Sequence, residues 1–330
     1  MGDPAGIGPE ITALAWAALQ HTTTHFFVIG DPDLYQTTCT QLELPPVQLI
    51  HAPEQCASRF ATGLPVLPLA LSQPVRLGTP SPVHANMVIQ SIKMAVEFCQ
   101  TAQAAAIVTN PIAKSVLYQA GFTHPGHTEF LGELAETFAD WPAPKGPIMM
   151  LCGGGLRVAL ASVHVSLADV PAQITTERVV HAAQVLHHAL QQDFAIATPR
   201  IALCALNPHA GEDGAMGSEE RDILNPLAQV LRAQDIDISN AIAADTLFRE
   251  ENRRTFDAAL AMYHDQGLIP VKTLDFHGGT NVTLGLPFVR VSPDHGTGFD
   301  IAGKGLARAD SLIAAIKLAQ QLAAARNLSS

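Results

Sequence analysis

The sequence predicts an α/β protein built from parallel sheets that are covered by helices. Short apolar runs alternate along the chain with helical patterns, which is typical of this class. Hydrophobic residues make up 48% of the chain and charged residues 15%, whereas aromatic residues make up only 5%. The core must therefore consist mainly of Ala, Leu, Val and Ile, as in buried parallel sheets. The length of 330 residues suits two domains that share an active-site cleft.

Apolar runs bounded by turn residues give the predicted strands. They lie at 25–30, 104–109, 201–206, 258–263 and 282–291, and two strands joined by a glycine turn lie at 148–165. Helical patterns predict helices at 87–101 and 311–326. Another helix is predicted to start at Asn110-Pro111, because proline is tolerated in a first turn.

Charge and cysteine usage exclude several classes of protein. The net charge of −11 argues against a nucleic-acid or anionic-membrane partner, which would need a basic face. The five cysteines are scattered and form no C-x-x-C pair, which favours reduced thiols. The sequence shows no signal peptide and no apolar run of the roughly 18–20 residues that a membrane span needs. We therefore expect a soluble, cytoplasmic protein.

The first segment, MGDPAGIGPE, is typical of a turn that enters a helix. Such a turn normally follows a strand, and here only Met1 precedes it, so either the first strand is missing or the fold manages without it. Gly6-Ile7-Gly8 lacks the third glycine of the G-x-G-x-x-G dinucleotide fingerprint. As a helix N-terminus it can still bind an anion. The residues of the cofactor site stay unassigned at this point.

Three histidines follow three apolar strands. His164 lies in ALASVHVSL, His209 in CALNPHAGEDG and His264 in LAMYHDQG. Residues just past the carboxyl ends of strands line the ligand crevice of open α/β sheets. Three imidazoles there would suit Zn²⁺ or another divalent ion, with Asp245 and Asp265 available to orient them. Each histidine taken alone is more often an ordinary strand-end residue. The prediction of a metal site therefore depends on the occurrence of all three histidines at strand ends.

Cationic and polar residues downstream predict an anion site. Lys272, Asn281 and Arg290 have strongly apolar flanks, which makes a fully solvated position less expected for them. Arg and Lys directed into a crevice hold a carboxylate or phosphate. His127 and Thr128, in PGHTEF, are further candidates for contacts to substrate oxygens, although Thr128 is equally compatible with a helix cap.

Taken together, these motifs resemble the 4-hydroxythreonine-4-phosphate dehydrogenase family. The similar segments run in family order from the first residue to Gly305: MGDPAGIGPE, IVTNPIAK, PGHTEFL, LRVALASVH, LNPHAGEDG, AMYHDQGLIPVK and NVTLGLPFVRVSPDHGTGFDIAGKG. Two departures stand out. The family's strand before GDPAGIGPE is absent, and Asp213 and Ala215 replace a Gly and the His of its Gly-Glu-Gly-Gly-His loop.

The resemblance implies a homodimer with its active site in the domain cleft and at the dimer interface. Its subunits would have two α/β/α domains, like isocitrate and isopropylmalate dehydrogenases, at 1–120 with 275–330 and at 121–274. It places a divalent metal (Zn, Mg or Co) on His164, His209 and His264. The other implied residues are substrate contacts at His127, Thr128, Lys272, Asn281 and Arg290, and site-maintaining residues at Asp245 and Asp265.

The implied reaction is NAD- or NADP-linked oxidation of 4-phosphohydroxy-L-threonine to 2-amino-3-oxo-4-phosphooxybutanoate. That β-keto acid decarboxylates to 3-amino-2-oxopropyl phosphate, in pyridoxal 5'-phosphate biosynthesis. A paralogous dehydrogenase of phosphoerythronate or phosphothreonate is the nearer alternative. A phosphate acyltransferase on a similar scaffold is the remote one, and its chemistry needs no metal-binding histidines.

Overall fold

The computed structural model describes residues 1–124 and 126–329, with side chains to Arg326. Its helices are α1 (Gly8–Leu19), α2 (Pro32–Gln41), α3 (Cys56–Phe60), α4 (Ala85–Gln100), α5 (Lys114–Gln119), α6 (His127–Ala135), α7 (Val170–Gln173), α8 (Thr176–Gln192), α9 (Asn225–Arg232), α10 (Ala244–Leu247), α11 (Glu250–Arg253), α12 (His264–Leu274) and α13 (Asp310–Ser329). Its strands are β1 (Val28–Gly30), β2 (Gln48–Leu49), β3 (Pro65–Pro68), β4 (Ala106–Val108), β5 (Ile148–Gly153), β6 (Leu156–Leu160), β7 (Arg200–Leu203), β8 (Asp237–Ile238), β9 (Ala258–Ala261), β10 (Thr280–Leu284) and β11 (Val289–Pro293). No helix in this described part combines the length and apolar character needed to cross a bilayer.

The chain divides into two compact units. The first comprises Met1–Asp140 and Phe288–Ala323, and the second comprises Trp141–Pro287 and Ala324–Ser330. The sequence-based ranges placed these divisions near residues 120 and 275, so residues 121–140, 275–287 and 324–330 are assigned to different units by the two approaches. His127 and Thr128 consequently lie in the first unit, and all three candidate metal histidines lie in the second.

The first unit holds two groups of parallel strands. The order of one is β1-β3-β2, and β4 pairs with β11 in the other. The core around the first group contains Trp16, Tyr35 and Phe60, each fully buried. The indole nitrogen of Trp16 donates a 2.8 Å hydrogen bond to the carbonyl of Phe60, so its polar atom is satisfied inside the core. Among the described residues, no strand precedes α1.

The second unit has a mixed sheet with the order β10-β5-β6-β9-β7-β8. β5 and β6 form an antiparallel hairpin, whereas β6, β9, β7 and β8 are parallel. The hairpin turns at Gly154 and Gly155, with φ of 57° and 79°, values that favour glycine in two-residue turns. This confirms the predicted glycine turn. The parallel strands place their carboxyl ends at one edge of the sheet, which positions the candidate metal histidines.

Two local predictions were wrong. Residues 282–291 form two strands, β10 and β11, because Gly285 has φ of 73° and its carbonyl accepts from Gly146 N at 2.7 Å. The helix predicted to start at Asn110-Pro111 begins at Lys114 instead. Asn110 donates to the Thr12 hydroxyl at 2.8 Å, and the Pro111 carbonyl accepts from Asp3 N at 2.9 Å. These tertiary contacts hold the segment outside a helix.

We expect Gly267→Ala to destabilise the second unit. Gly267 lies on the face of α12 that packs on β6, and an added Cβ would lie 2.6 Å from Leu160 Cδ2 and 3.1 Å from Val158 Cγ1. Overpacking of this kind costs about 1–3 kcal/mol. Urea denaturation measures the loss, with Gly296→Ala as the control because its added Cβ meets nothing within 4 Å. Equal stability of the two variants would contradict the packing described.

Candidate functional site

The three candidate metal histidines follow three neighbouring parallel strands of the second unit. His164 follows β6, His264 is the first residue of α12 after β9, and His209 follows β7. Since β9 lies between β6 and β7, the carboxyl ends of all three strands share one edge of the sheet. The sequence-based placement of the histidines at the strand ends is confirmed.

The geometry brings two of these imidazoles together. The rings of His164 and His264 lie beside each other, with their centroids 5.9 Å apart and their planes tilted by 42°. Two imidazoles on one Zn²⁺, with Zn–N bonds of about 2.0–2.1 Å, place their centroids roughly 4.5–6 Å apart. His264 Nδ1 lies 2.7 Å from Asp265 Oδ1, an arrangement that leaves Nε2 for an ion. The spacing of these two imidazoles therefore matches that of two ligands of one divalent ion. Within the described residues no group of three or more His, Cys, Asp or Glu could hold a metal ion, so His209 does not join the pair in such a group.

His209 begins a left-handed backbone turn. The φ values are 51° at His209, 54° at Ala210, 77° at Gly211, 41° at Glu212, 54° at Asp213 and 97° at Gly214. L-residues with a Cβ pay about 1–2 kcal/mol each for this conformation. Asp213, which replaces a glycine of the family loop, is one of the strained positions. The turn is therefore a costly structure that the surrounding residues must hold.

Gln266 is a supporting residue that sequence analysis did not identify. It is buried, its Oε1 accepts from Met262 N at 2.7 Å, and its Nε2 donates to the Ala205 carbonyl at 2.6 Å. It thereby ties the end of β9 to the end of β7, the strands that lead to His264 and His209. Its position inside the HDQG motif was the available sequence signal.

Two further candidates in the second unit are Asp245 and Lys272. Asp245 is exposed on α10, where its carboxylate accepts from the neighbouring Thr246 hydroxyl at 3.2 Å. Lys272 lies in the last turn of α12 with its ammonium 5.9 Å from the Phe276 ring. Because His264 begins this helix, the two residues are about 12 Å apart along its axis at 1.5 Å per residue.

Asn281 provides a polar atom within the same unit. It lies on β10, opposite Leu151 of β5. Its side-chain Oδ1 is shielded from solvent and has no hydrogen-bond partner in the described structure. A buried unsatisfied amide oxygen is costly, which makes it a suitable acceptor for a ligand N–H or O–H.

The first unit contains a separate cationic cluster around Arg290. Arg290 lies on β11, beside Ile107 of β4, and is 3% exposed. Its Nη2 donates to the Thr109 hydroxyl at 2.7 Å, immediately beyond β4. Burial lowers the pKa of Arg290 to about 10, and nearby Glu129 opposes this shift. The guanidinium therefore stays charged at neutral pH inside the protein, which is the environment in which it binds an anion most strongly.

His127 lies within the electrostatic reach of Arg290. It is the first residue of α6, and its Nε2 is shielded from solvent with no hydrogen-bond partner in the described structure. Its pKa lies well below the ordinary 6.5, mainly because of burial and further because of the nearby positive charges of Arg290 and Lys114. A neutral imidazole near a buried guanidinium can donate its N–H to a phosphate oxygen.

Thr128 is the second residue of α6, and it does not cap the helix. The N-cap is Gly126, without a side-chain capping bond. Pro125 of the same motif lies outside the described residues. Lys114 comes close to this turn: a Cβ built on Gly126 would lie 3.2 Å from its Nζ. Thr109 and Lys114 of the IVTNPIAK segment had no predicted role, and the fold brings both to the Arg290 cluster.

The Gly6-Ile7-Gly8 turn is used for packing. Gly6 N donates to the Asp3 carbonyl at 3.1 Å, and Ile7 N donates to the Thr297 carbonyl at 2.8 Å. A Cβ on Gly6 would lie 2.6 Å from that same Thr297 oxygen, which explains the glycine. The amides of Gly6 and Ile7 are thus already satisfied, and the anion site expected here draws no support from them.

The pH dependence of stability should report the neutral state of His127. Its folded pKa lies below the unfolded value of 6.5, so its stabilising contribution is complete above pH 6.5. As the pH falls below 6.5, the unfolded chain takes up a proton that the folded protein excludes, and stability is lost by up to about 1.4 kcal/mol per pH unit. Urea denaturation between pH 7.5 and 5.5 should show a shallower loss for His127→Gln than for the wild type. His181→Gln, on an exposed position of α8, is the control, and parallel curves for all three proteins would refute the shift.

The chain is similar in sequence to proteins of one family. A family model described as "Pyridoxal phosphate biosynthetic protein PdxA" matches residues 22–319. A 4-hydroxythreonine-4-phosphate dehydrogenase from Caulobacter vibrioides is 50% identical over 327 residues, which cover 99% of this chain and 97% of the relative. The corresponding protein from Maricaulis maris is 52% identical over 332 residues, with the same coverage.

Solved structures show the same fold. The 4-hydroxythreonine-4-phosphate dehydrogenase from Klebsiella pneumoniae superposes with a TM-score of 0.86 at 33% identity, over 98% of both chains. A terephthalate 1,2-cis-dihydrodiol dehydrogenase from Burkholderia xenovorans is more distant, with a TM-score of 0.63 and 28% identity over 97% of this chain and 96% of that one. From the matched residues, the identity and the fold, the chain belongs to the 4-hydroxythreonine-4-phosphate dehydrogenase family of pyridoxal phosphate biosynthesis.

Proposed function

We propose that this protein oxidises 4-phosphohydroxy-L-threonine with NAD⁺ or NADP⁺ to 2-amino-3-oxo-4-phosphooxybutanoate. The product decarboxylates to 3-amino-2-oxopropyl phosphate in pyridoxal 5'-phosphate biosynthesis. The observation that carries the proposal is the adjacent pair His164 and His264 at the strand edge, in a chain half identical to named enzymes of this activity. The Arg290 cluster adds a site for the anionic group that such a substrate bears.

The proposed metal ligands are His164, His209 and His264, for Zn²⁺, Mg²⁺ or Co²⁺. When bound, the ion supplies Lewis acidity that lowers the pKa of the substrate hydroxyl. Asp265 accepts from His264 Nδ1 and so fixes the tautomer in which Nε2 carries the lone pair for the ion. Asp245 is proposed to maintain the same site, in line with the family resemblance.

The chain's polar residues are proposed to hold the anionic substrate. Arg290 offers the planar fork that matches phosphate, and His127 and Thr128 add contacts to its oxygens. Lys272 and Asn281 are proposed as the remaining substrate contacts, with the Asn281 oxygen accepting a substrate N–H or O–H. Fixing both ends of a small substrate orients its reacting C–H bond toward the nicotinamide.

The chemical step requires a base for the hydroxyl proton. As that proton leaves, the C–H electron pair passes as hydride to the nicotinamide, and the secondary alcohol becomes a ketone. The product is a β-keto acid, and it loses CO₂ because the electron pair left behind is delocalised into the new carbonyl group. Asp265 is one of two candidate bases, the other being a water at the metal site. The exposed carboxylate of Asp265 beside His264 would allow a proton to pass to solvent.

Asp265→Asn should therefore lower turnover and weaken metal retention. The amide cannot accept a proton, and its interaction with His264 Nδ1 is weaker than that of a carboxylate. NADH or NADPH formation and metal content, measured on the same preparation, separate the two effects. Full turnover with full metal content would exclude Asp265 from both roles.

The proposal includes a homodimer that shares the site between subunits, as the family resemblance implies. Large apolar side chains are exposed on and after α12: Ile269 is 63% exposed and Phe276 is 71% exposed. Leu167, which follows His164, is also 71% exposed. Large apolar side chains that are exposed on a single subunit are candidates for burial at a subunit interface. Sedimentation analysis of the wild type against Ile269→Asp tests this, and a monomeric wild type would contradict it.

The assay of the purified protein decides the function. NADH or NADPH formation is followed with 4-phosphohydroxy-L-threonine and with phosphoerythronate, each with and without a chelator. Chelator-sensitive turnover that prefers the amino acid phosphate supports the proposal. A preference for phosphoerythronate keeps the mechanism and assigns the enzyme to sugar-acid catabolism, and no turnover with either substrate contradicts the proposed function.

A further inference from the structure

The left-handed turn that carries His209 is anchored by a buried carboxylate. Glu220 is 2% exposed and lies at the start of a π-helical segment, Glu220–Leu224. Its Oε1 accepts from Leu206 N at 2.8 Å and from Asn207 N at 2.7 Å. Its Oε2 accepts from Asn207 Nδ2 at 2.9 Å. One side chain thus satisfies three donors in the two residues that lead into Pro208-His209.

Asn207 and two glycines complete this anchor. Asn207 Nδ2 also donates to Glu219 Oε2 at 2.7 Å, so its amide bridges two consecutive carboxylates. A Cβ on Gly211 would lie 2.6 Å from Glu220 Oε2, and a Cβ on Gly217 would lie 2.4 Å from Asn207 Nδ2. Gly211 of the turn and the nearby Gly217 therefore pack directly against the carboxylate and the amide. Any shift of the turn would break these contacts.

We infer that Glu220 is a positioning residue for His209: its carboxylate holds the left-handed turn that carries this proposed metal ligand. The inference rests on the proposed function, which makes His209 a metal ligand. Four residues of the turn carry a Cβ at positive φ, and their backbone strain opposes this conformation. Three hydrogen bonds to a buried charge are strong enough to offset that strain, whereas exposed contacts are not.

A merely structural role for Glu220 makes a different prediction. A buried carboxylate that only stabilised the fold would change the free energy of unfolding and leave the metal affinity of the folded protein unaltered. A positioning role acts on metal affinity itself, because misdirecting a ligand weakens binding without unfolding the chain. Removing a residue that orients a metal ligand typically lowers the metal affinity about 10- to 100-fold.

The test measures Zn²⁺ binding to the purified full chain by competition with a chelating dye, and Co²⁺ absorption as a second readout of coordination. Glu220→Gln is compared with Glu219→Gln, which removes the same charge from the neighbouring residue but leaves the Glu220 hydrogen bonds in place. We expect Glu220→Gln to bind Zn²⁺ at least 10-fold more weakly and to change the Co²⁺ spectrum. Glu219→Gln should bind within twofold of the wild type. Equal Zn²⁺ affinity of folded Glu220→Gln and the wild type would overturn the inference.

Two further variants keep the test decisive. Ala210→Gly relieves the backbone strain at φ of 54°. Combined with Glu220→Gln, it should raise the Zn²⁺ affinity at least threefold above that of Glu220→Gln alone. In the wild type, the same change should alter the Zn²⁺ affinity less than twofold. No restoration would contradict the strain argument. Should Glu220→Gln not fold, Asn207→Ala removes only the side-chain bonds and should still weaken Zn²⁺ binding at least threefold, and unchanged binding would overturn the inference. A wild type that binds no Zn²⁺ would instead refute the proposed metal site, and the inference with it.

Discussion

Replacing Arg290 by methionine is expected to lower kcat/KM for the phosphorylated substrate roughly 30- to 3000-fold. Arg290 is the buried cation of the first unit, 3% exposed and fixed by Thr109. Removing a buried charge that pairs with a ligand charge costs about 2–5 kcal/mol, and each 1.4 kcal/mol is a factor of ten. Methionine keeps most of the side-chain volume, so the loss reflects the missing guanidinium rather than a cavity. Steady-state NADH or NADPH formation at substrate concentrations below KM measures it.

The control for this prediction is the substrate without its phosphate. 4-Hydroxy-L-threonine should be oxidised slowly by the wild type, and Arg290→Met should change that slow rate little, because no phosphate is present to bind. Arg290→Lys keeps the charge but loses the bidentate fork. Its kcat/KM for the phosphorylated substrate should therefore lie between those of the wild type and Arg290→Met. An equal loss of activity toward both substrates would show that Arg290 serves folding rather than phosphate binding. Urea denaturation checks the folding of each variant.

Much of the site was predictable from sequence because the carboxyl ends of parallel strands lie at one edge of a sheet. Apolar runs located β6, β7 and β9, and the histidines just beyond them had to reach one edge once the strands proved parallel and adjacent. The apolar flanks of Arg290 correctly indicated that it is buried. Both arguments depend only on local patterns, which a single sequence displays.

Features that depend on tertiary contacts were not predictable in this way. The break at Gly285 arises from close packing against Gly146, and the non-helical Asn110-Pro111 segment is held by Thr12 and Asp3. The left-handed turn after His209 contains only two glycines, so composition gave no sign of six consecutive positive φ values. Glu220 had no motif of its own, and its role became visible only from its hydrogen bonds across the fold.

Replacing His264 by alanine is expected to remove the bound metal and to lower kcat/KM by about 10³-fold or more. His264 lies beside His164, with the ring centroids 5.9 Å apart, and is oriented by Asp265, so its loss leaves the proposed ion without a ligand from the central strand of the site. Lewis-acid assistance is worth several kcal/mol of transition-state stabilisation, which is the size of the expected loss. Metal content by elemental analysis and turnover on the same preparation measure both effects. Chelator treatment of the wild type should reach the same residual rate.

A matched histidine distinguishes a ligand from a general surface effect. His181 lies exposed on α8, and His181→Ala should keep full metal content and full turnover. The side chain of His264 is 37% exposed, so its removal opens no sealed cavity and should leave the metal-free stability nearly unchanged. A His264→Ala protein that retained its metal would exclude His264 as a ligand. A variant that lost its metal but kept full turnover would show that hydride transfer does not require the ion bound by the wild type.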